Sequence, residues 1–199
     1  MYKRQLLDVN HKQDYRIIGQ LFDTYWLIEF EDSFYMMDQH AAHEKILYER
    51  LMKQFHEKTY HSQMIMPPVI LTLSLREEQI LKENWKTFTA LGYEIEEFGG
   101  KEYKVTGLPA ELPTVIDCKQ LLIELIDTIA DESATHDPER ITEKVASMSC
   151  KAAVKGNNRL SFKEAEELMR ELMEAENPYN CPHGRPTPVS YTHLTLPTN

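Results

Sequence analysis

The 199-residue chain lacks any run of about 18 apolar residues, the length that a membrane-spanning helix needs. Its first four residues include two basic ones, but no apolar stretch of the secretory type follows them. Cysteine is scarce, and Cys118, Cys150 and Cys181 are odd in number and widely spread. We therefore expect a soluble protein in a reducing compartment, without a disulfide framework, whose thiols are available to bind metal.

Basic residues are also in the minority, with 22 lysines and arginines against 32 aspartates and glutamates and a formal net charge of -10. The mean field of such a surface repels a polyanion such as DNA. DNA binding would therefore need a local basic patch, a divalent cation or another part of a longer protein. The hydrophobic fraction of 42% is enough for one core, or for a core with a second small lobe.

The first quarter of the chain has the composition of a strand meander followed by a helix. Aromatic and β-branched residues predict strands at 15–18, 24–30 and 34–37. Alanines and long straight side chains then favour a helix over 41–54. A strand therefore delivers Asp38 and His40 to the start of a helix.

The remaining pattern predicts a small inserted lobe and then three helices. The lobe would contain an extended stretch and strand over 63–73, a helix over 76–91 ended by Gly92, and a hairpin of 93–98 with 103–105. The later helices are predicted at 118–130, 138–154 and 161–176. Ser161 and Glu164, three residues apart, form a capping box at the start of the last helix.

The strand-to-helix junction concentrates potential metal ligands. Asp38 and His40 lie two residues apart and leave a strand end on the same face, and Glu44 follows one helical turn later. The three can converge on one ion. Glu49 is rotated by about 140° from Glu44, so we assign it a supporting role behind the ligands, or an ion pair with Lys45. The simpler alternative for Asp38 and His40 is a helix cap or a hydrogen-bonded pair.

A second group of ligand types lies near the end of the chain. Cys181 and His183 flank a proline that can keep the segment extended, so that thiolate and imidazole point to one side. Arg185 offers a planar fork for a phosphate, and Lys155 belongs to a basic cluster that is either a solvated patch or a phosphate contact. The mixed carboxylate, imidazole and thiolate set suits zinc, manganese or a similar metal. Cys150, in an apolar helix, is by default a buried small hydrophobe.

Three segments resemble one protein family. The segment from Asp38 to Glu49 resembles the D-Q-H-A-x2-E-x4-E endonuclease motif in the C-terminal domain of MutL-type mismatch-repair proteins. Residues 149–155 and 181–186 resemble two further motifs of that family, in the expected order. Gln63, Met66 and Pro68 are similar to its sliding-clamp-binding segment, Q-x-x-(L/I)-x-P, with a methionine in place of leucine or isoleucine.

The resemblance implies a homodimeric endonuclease that nicks one strand of duplex DNA, with Mn²⁺ as the catalytic metal and Zn²⁺ as a regulatory one. It implies a zinc-type site of Glu44, Cys150, Cys181 and His183, completed by Asp38 and His40. Asp38, His40 and Glu44 would be catalytic. The implied partners are a second copy of the chain, DNA, a sliding clamp and a mismatch-recognition protein reached through the full-length chain, in the cytoplasm near the nucleoid.

The expected fold is α+β in two lobes. Residues 15–66 and 118–187 would form a dimerisation lobe of a small sheet plus helices that carries the metal site. Residues 67–117 would form an inserted, regulatory α/β lobe. Residues 1–14 would be a linker from the family's ATPase region, and residues 188–199 an atypical tail added in cloning or arising from a sequence error.

Two other functions fit the same residues less fully. A non-catalytic dimerisation module with a structural or regulatory zinc site agrees with the acidic net charge. A hydrolase of small molecules has no support from a glycine-rich loop or a nucleophile motif.

Overall fold

The computed structural model describes residues 15–30, 33–59, 61–112, 117–132, 138–154 and 159–192. The chain divides into two compact units, which we call unit 1 (Met1–Ile46 with Val154–Asn199) and unit 2 (Leu47–Ala153). Both contain helices and antiparallel strands, which confirms the α+β class. Within the described ranges, no helix is both long and apolar enough to cross a membrane.

In chain order the elements are β1 (Tyr15–Leu21), β2 (Tyr25–Phe30), β3 (Ser33–Asp38), α1 (Gln39–Glu57), β4 (Ser62–Thr72), α2 (Leu75–Glu83), α3 (Trp85–Ala90), β5 (Glu94–Gly99), β6 (Glu102–Pro109), α4 (Cys118–Glu132), α5 (Pro138–Val154), α6 (Phe162–Glu174) and β7 (Pro188–Thr192).

Unit 1 is built on an antiparallel sheet in the order β1-β2-β3-β7. Alternate residues of β2, namely Trp26, Ile28 and Phe30, turn to one face and are buried, as the two-residue period of a strand requires. Helix α6 contributes the other side of this core at helical spacing, through Ala165, Leu168, Met169, Leu172 and Met173. The predicted capping box is confirmed, because Ser161 and Glu164 exchange hydrogen bonds with each other's backbone.

Unit 2 is built on a three-stranded antiparallel sheet in the order β4-β6-β5, with helices α2 to α5. The predicted hairpin is present as β5 and β6. The predicted helix 76–91 is interrupted at Asn84, whose side-chain amide and backbone N–H both donate to the carbonyl of Ile80. Such local side-chain bonds compete with the helical ladder. Helix α2 also has a capping box, Ser74 with Glu77, which was not predicted from the sequence.

The compact units differ in extent from the predicted lobes. Helices α4 and α5, which we assigned to the dimerisation lobe, pack in the core of unit 2: Leu122 and Val145 belong to the same buried cluster as Leu71 and Tyr103 of its sheet. The sequence shows that these helices have apolar faces, but it does not show which of the two sheets those faces pack against. The dimerising and regulatory roles of the two lobes stay predictions.

The start of the segment expected to be an atypical tail is a regular strand. β7 pairs with β3 in antiparallel register, with Val189 opposite Met36 and Tyr191 opposite Phe34. Its proline, Pro188, stands at the first position of an edge strand, where proline is tolerated. Residues 193–199 and the predicted linker 1–14 lie outside the described residues, and the origin of 188–199 stays a prediction.

Candidate metal centre

The carboxylate of Asp38 caps helix α1. β3 ends at Asp38. Oδ1 of Asp38 accepts hydrogen bonds from the backbone N–H of His40 (2.8 Å) and of Ala41 (3.1 Å). The backbone N–H of Asp38 donates to the carbonyl of Thr187 over 2.8 Å. This is the N-cap arrangement that aspartate favours. The strand-to-helix junction predicted from the sequence is therefore present. Oδ1 of Asp38 caps the helix, as the alternative interpretation of this residue predicted.

Gln39, the second residue of the D-Q-H-A motif, fixes the start of α1 against the sheet. Its side chain is 2% exposed, and Oε1 accepts hydrogen bonds from Nε2 of Gln20 (3.1 Å) and Nε1 of Trp26 (3.2 Å). No separate role for Gln39 was predicted from the sequence. Only its position inside the motif could have indicated a structural role, because its hydrogen-bond partners are 13 and 19 residues away in the sequence.

The loop after α6 presents the second group of ligands. Asn180 and Pro186 form an antiparallel bridge at its base. Inside the loop, the N–H of Cys181 donates to the carbonyl of Arg185 (2.9 Å), and the N–H of Gly184 donates to the carbonyl of Cys181 (2.9 Å). Gly184 has a φ of +79°, a left-handed conformation that favours glycine. The glycine therefore allows the tight turn that holds Cys181 and His183 on one loop.

Glu44, Cys181 and His183 come together in unit 1. Each offers one ligand atom, and these atoms all lie within 4.8 Å of one another. Glu44 and Cys181 are 3% and 4% exposed, whereas His183 is exposed. Nδ1 of His183 lies 3.2 Å from Oε2 of Glu44. A carboxylate oxygen, a thiolate sulfur and an imidazole nitrogen are donors that zinc and similar transition metals accept, so the residues present fit such a metal.

Arg185 engages the other oxygen of the Glu44 carboxylate. Its Nη2 donates to Oε1 over 2.6 Å. The hydrogen bond to Glu44 is the main reason that the pKa of Arg185 is raised; burial opposes this, and the charges of Glu44 and Cys181 add to it. The buried carboxylate is thus neutralised by a fixed positive charge in the structure.

Asp38 and His40 form a pair of their own. Nδ1 of His40 lies 3.8 Å from Oδ1 of Asp38. Among the described residues, the group whose ligand atoms meet within 4.8 Å contains neither of them. Their convergence with Glu44 on one ion stays a prediction. The neighbouring His43 has its pKa lowered, mainly by burial and further by the charge of His40, while the backbone of Gln39 and the charge of Glu164 act in the opposite direction.

Three further predicted site residues are Cys150, Glu49 and Lys155. Cys150 lies on α5 and is fully buried in the core of unit 2, as the default reading of the sequence expected. Glu49 lies on the part of α1 that belongs to unit 2 and is half-buried. Lys155 lies outside the described residues. The metal-ligand role of Cys150, the supporting role of Glu49 and the phosphate contact of Lys155 stay predictions.

The candidate clamp-binding residues lie on β4, an edge strand of the sheet of unit 2. The side-chain amide of Gln63 donates to the carbonyl of Pro109 over 3.0 Å and to that of Leu112. Met66 is 81% exposed, and Pro68 is exposed. A cavity of about 510 Å³ is lined by Met66 and neighbouring residues of β4, by Leu108 and by residues at the start of α4.

The fold and the group of Glu44, Cys181 and His183 define an α+β domain with a candidate transition-metal centre. A family model described as the MutL C terminal dimerisation domain matches residues 18–160, and the chain belongs to this family. The resemblance identified from the three motifs is thereby confirmed.

Curated relatives agree with this assignment. The chain is 51% identical over 195 residues to the "DNA mismatch repair protein MutL" of Agathobacter rectalis, an alignment that covers 98% of this chain and 30% of the relative. It is 38% identical over 189 residues to the protein of the same name from Caldanaerobacter subterraneus, covering 95% and 32%. The identity to that of Clostridium beijerinckii is 36% over 180 residues, covering 90% and 27%. The chain thus spans about a third of the length of these relatives.

Proposed function

We propose that this chain is a metal-dependent endonuclease domain that homodimerises and nicks one strand of duplex DNA in mismatch repair. The observation that carries the proposal is the meeting of Glu44, Cys181 and His183, whose ligand atoms lie within 4.8 Å of one another although 139 residues separate Glu44 from His183. The family description names dimerisation, and the names of the relatives specify mismatch repair. Both support the proposal.

Zn²⁺ in a regulatory role and Mn²⁺ in a catalytic one are the metals proposed for this centre. When bound, such a metal polarises a phosphoryl oxygen and lowers the pKa of a bound water. Glu44, Cys181 and His183 would hold it, with Cys150 as a further ligand that the resemblance implies. Asp38 can cap α1 through Oδ1 and still offer Oδ2 as a donor, because a carboxylate accepts at both oxygens. His40 would act beside it.

DNA contact by Arg185 would require a change in its partner. Its side chain is 47% exposed, but its guanidinium is paired with Glu44 in the structure. The net charge of -10 also opposes the approach of DNA. We therefore propose that a sliding clamp, bound through Gln63, Met66 and Pro68, and the rest of a longer chain with its mismatch-recognition partner bring DNA to the site.

A non-catalytic dimerisation module is the second candidate. Two observations favour it: Oδ1 of Asp38 caps a helix, and the Glu44 carboxylate is paired with Arg185. Asp38 and Glu44 can thus contribute to the stability of the fold whether or not they take part in catalysis. In this case a metal would serve structure or regulation alone.

A nicking assay separates the two candidates. Supercoiled plasmid is incubated with the chain and Mn²⁺, with and without a sliding clamp on the DNA, and open-circle product is measured. Asp38→Asn and Glu44→Gln should reduce nicking by about 100-fold or more, since such groups act directly on the reacting phosphate. The matched control is Glu167→Gln, which removes an exposed carboxylate from α6. Equal nicking by all four proteins, or none by the wild type even with the clamp, would reject the endonuclease function. Sedimentation analysis tests the homodimer.

A further inference from the structure

The ion pair between Arg185 and Glu44 uses the same carboxylate that contributes to the candidate metal centre. Nη2 of Arg185 lies 2.6 Å from Oε1 of Glu44, and the Glu44 side chain is only 3% exposed. The Cys181 sulfur lies in the same group, since its ligand atom is within 4.8 Å of those of Glu44 and His183. The guanidinium therefore pairs with one of the three side chains that would bind a metal.

Arg185 uses Oε1 of this carboxylate and a metal could use Oε2, the oxygen beside His183, so the two would compete for one negative charge and not for one atom. A buried carboxylate needs a counter-charge, and Arg185 supplies it here. A divalent ion at Glu44 and Cys181 would place a second positive charge a few ångströms from the guanidinium, which repels it. Arginine cannot relieve this repulsion by losing a proton. It can move away, because nearly half of its side chain is already in contact with solvent.

We propose that Arg185 is a built-in competitor of the metal: its ion pair with Glu44 opposes the binding of a divalent transition metal to Glu44, Cys181 and His183, and the guanidinium is displaced when such a metal binds. The inference rests on the metal-binding part of the proposed function and is independent of nicking. Its consequence is that the native metal affinity is lower than the three ligands alone would give. The displaced guanidinium then becomes available to an anion such as a DNA phosphate.

Cobalt titration of the full chain tests the competition. Co²⁺ is added at pH 8, and the thiolate-to-cobalt absorption band reports ligation by cysteine. Arg185→Gln should bind Co²⁺ about tenfold or more tightly than the wild type, since a hydrogen bond between charged groups has a strength of that order. Arg185→Lys should fall between them, because it keeps the charge but loses the planar fork. The control is Arg159→Gln, which removes the same charge from an exposed pair with Asp23 and should match the wild type.

The outcomes distinguish this inference from the proposed function. Cobalt affinity of Arg185→Gln equal to or below that of the wild type would overturn the competition and leave the metal centre standing. Absence of cobalt binding by every protein would overturn both. If circular dichroism shows that Arg185→Gln does not fold, Arg185→Lys decides, and an affinity no higher than that of the wild type rejects the inference. An equal gain in Arg159→Gln would show a general charge effect and also reject it.

Discussion

The indole N–H of Trp26 donates a hydrogen bond to Oε1 of Gln39 over 3.2 Å, and both side chains are buried. Gln39→Leu should lower the free energy of unfolding by about 1–3 kcal/mol, because it leaves the buried indole donor without its partner. Urea denaturation followed by circular dichroism measures this change.

A double-mutant cycle gives the control for this prediction. In the Trp26→Phe background no indole donor remains, so the additional cost of Gln39→Leu should be smaller than in the wild type. Equal costs in the two backgrounds would mean that the hydrogen bond does not anchor α1 and that the effect comes from packing alone.

The capping box of α6 predicts a pH dependence. Hydrogen bonds from the backbone N–H and the hydroxyl of Ser161 lower the pKa of Glu164, the backbone bond being the larger cause. A carboxyl whose pKa is lower in the folded state stabilises the protein above its unfolded pKa, and this contribution is lost as the pH falls through the folded pKa. Wild type should therefore be more stable than Glu164→Gln at neutral pH; the difference should begin to shrink near the unfolded pKa of about 4.3 and vanish once the pH is below the folded pKa.

Urea denaturation across this pH range checks the prediction, with a carboxyl titration followed by NMR as a direct reading of the pKa. Glu166→Gln removes the same charge from the same helix and serves as the control. A stability difference for Glu164→Gln that persists unchanged to pH 3 would contradict the assigned cause.

Patterns with a short period predicted the elements that lie around the site. The alternation in β2 and the spacing of Leu168, Met169 and Leu172 in α6 indicate a buried face by themselves. The capping box at Ser161 marks a helix start for the same local reason. The strand-to-helix junction at Asp38 could therefore be placed from sequence before any tertiary contact was known.

Long-range contacts were not accessible in this way. The pair of Arg185 and Glu44 joins residues 141 positions apart, and no period or spacing indicates it. From the sequence we predicted that Arg185 contacts a phosphate, whereas in the structure its guanidinium donates to the carboxylate of Glu44. The interruption of the predicted helix at Asn84 was missed although it is local. It depends on a hydrogen bond of one side chain within a sequence pattern that otherwise favours helix.

In the candidate clamp-binding segment on the edge strand β4, different substitutions should affect clamp binding and protein stability separately. Met66 is 81% exposed, so Met66→Asp should leave the melting temperature unchanged and weaken binding to a sliding clamp about tenfold or more, as expected for an apolar anchor at an interface. Gln63→Ala should also lower the stability of unit 2 by about 1 kcal/mol, because its amide holds the carbonyls of Pro109 and Leu112. Surface plasmon resonance and thermal melting measure the two effects.

Leu75→Asp is the matched control for this prediction, since Leu75 is 70% exposed and lies outside the segment. Its clamp affinity should equal that of the wild type. Equal losses for Leu75→Asp and Met66→Asp would show that an added charge, and not the loss of the methionine, weakens binding.

Asp38 offers a way to separate the two roles of one carboxylate. Asparagine caps a helix as well as aspartate does, so Asp38→Asn should leave stability nearly unchanged, whereas Asp38→Ala should cost about 0.5–2 kcal/mol through loss of the bonds to the N–H groups of His40 and Ala41. If the carboxylate also holds a metal, both variants should lose manganese-dependent nicking to the same extent. Nicking by Asp38→Asn at the wild-type rate, with loss only in Asp38→Ala, would restrict Asp38 to its role as a cap.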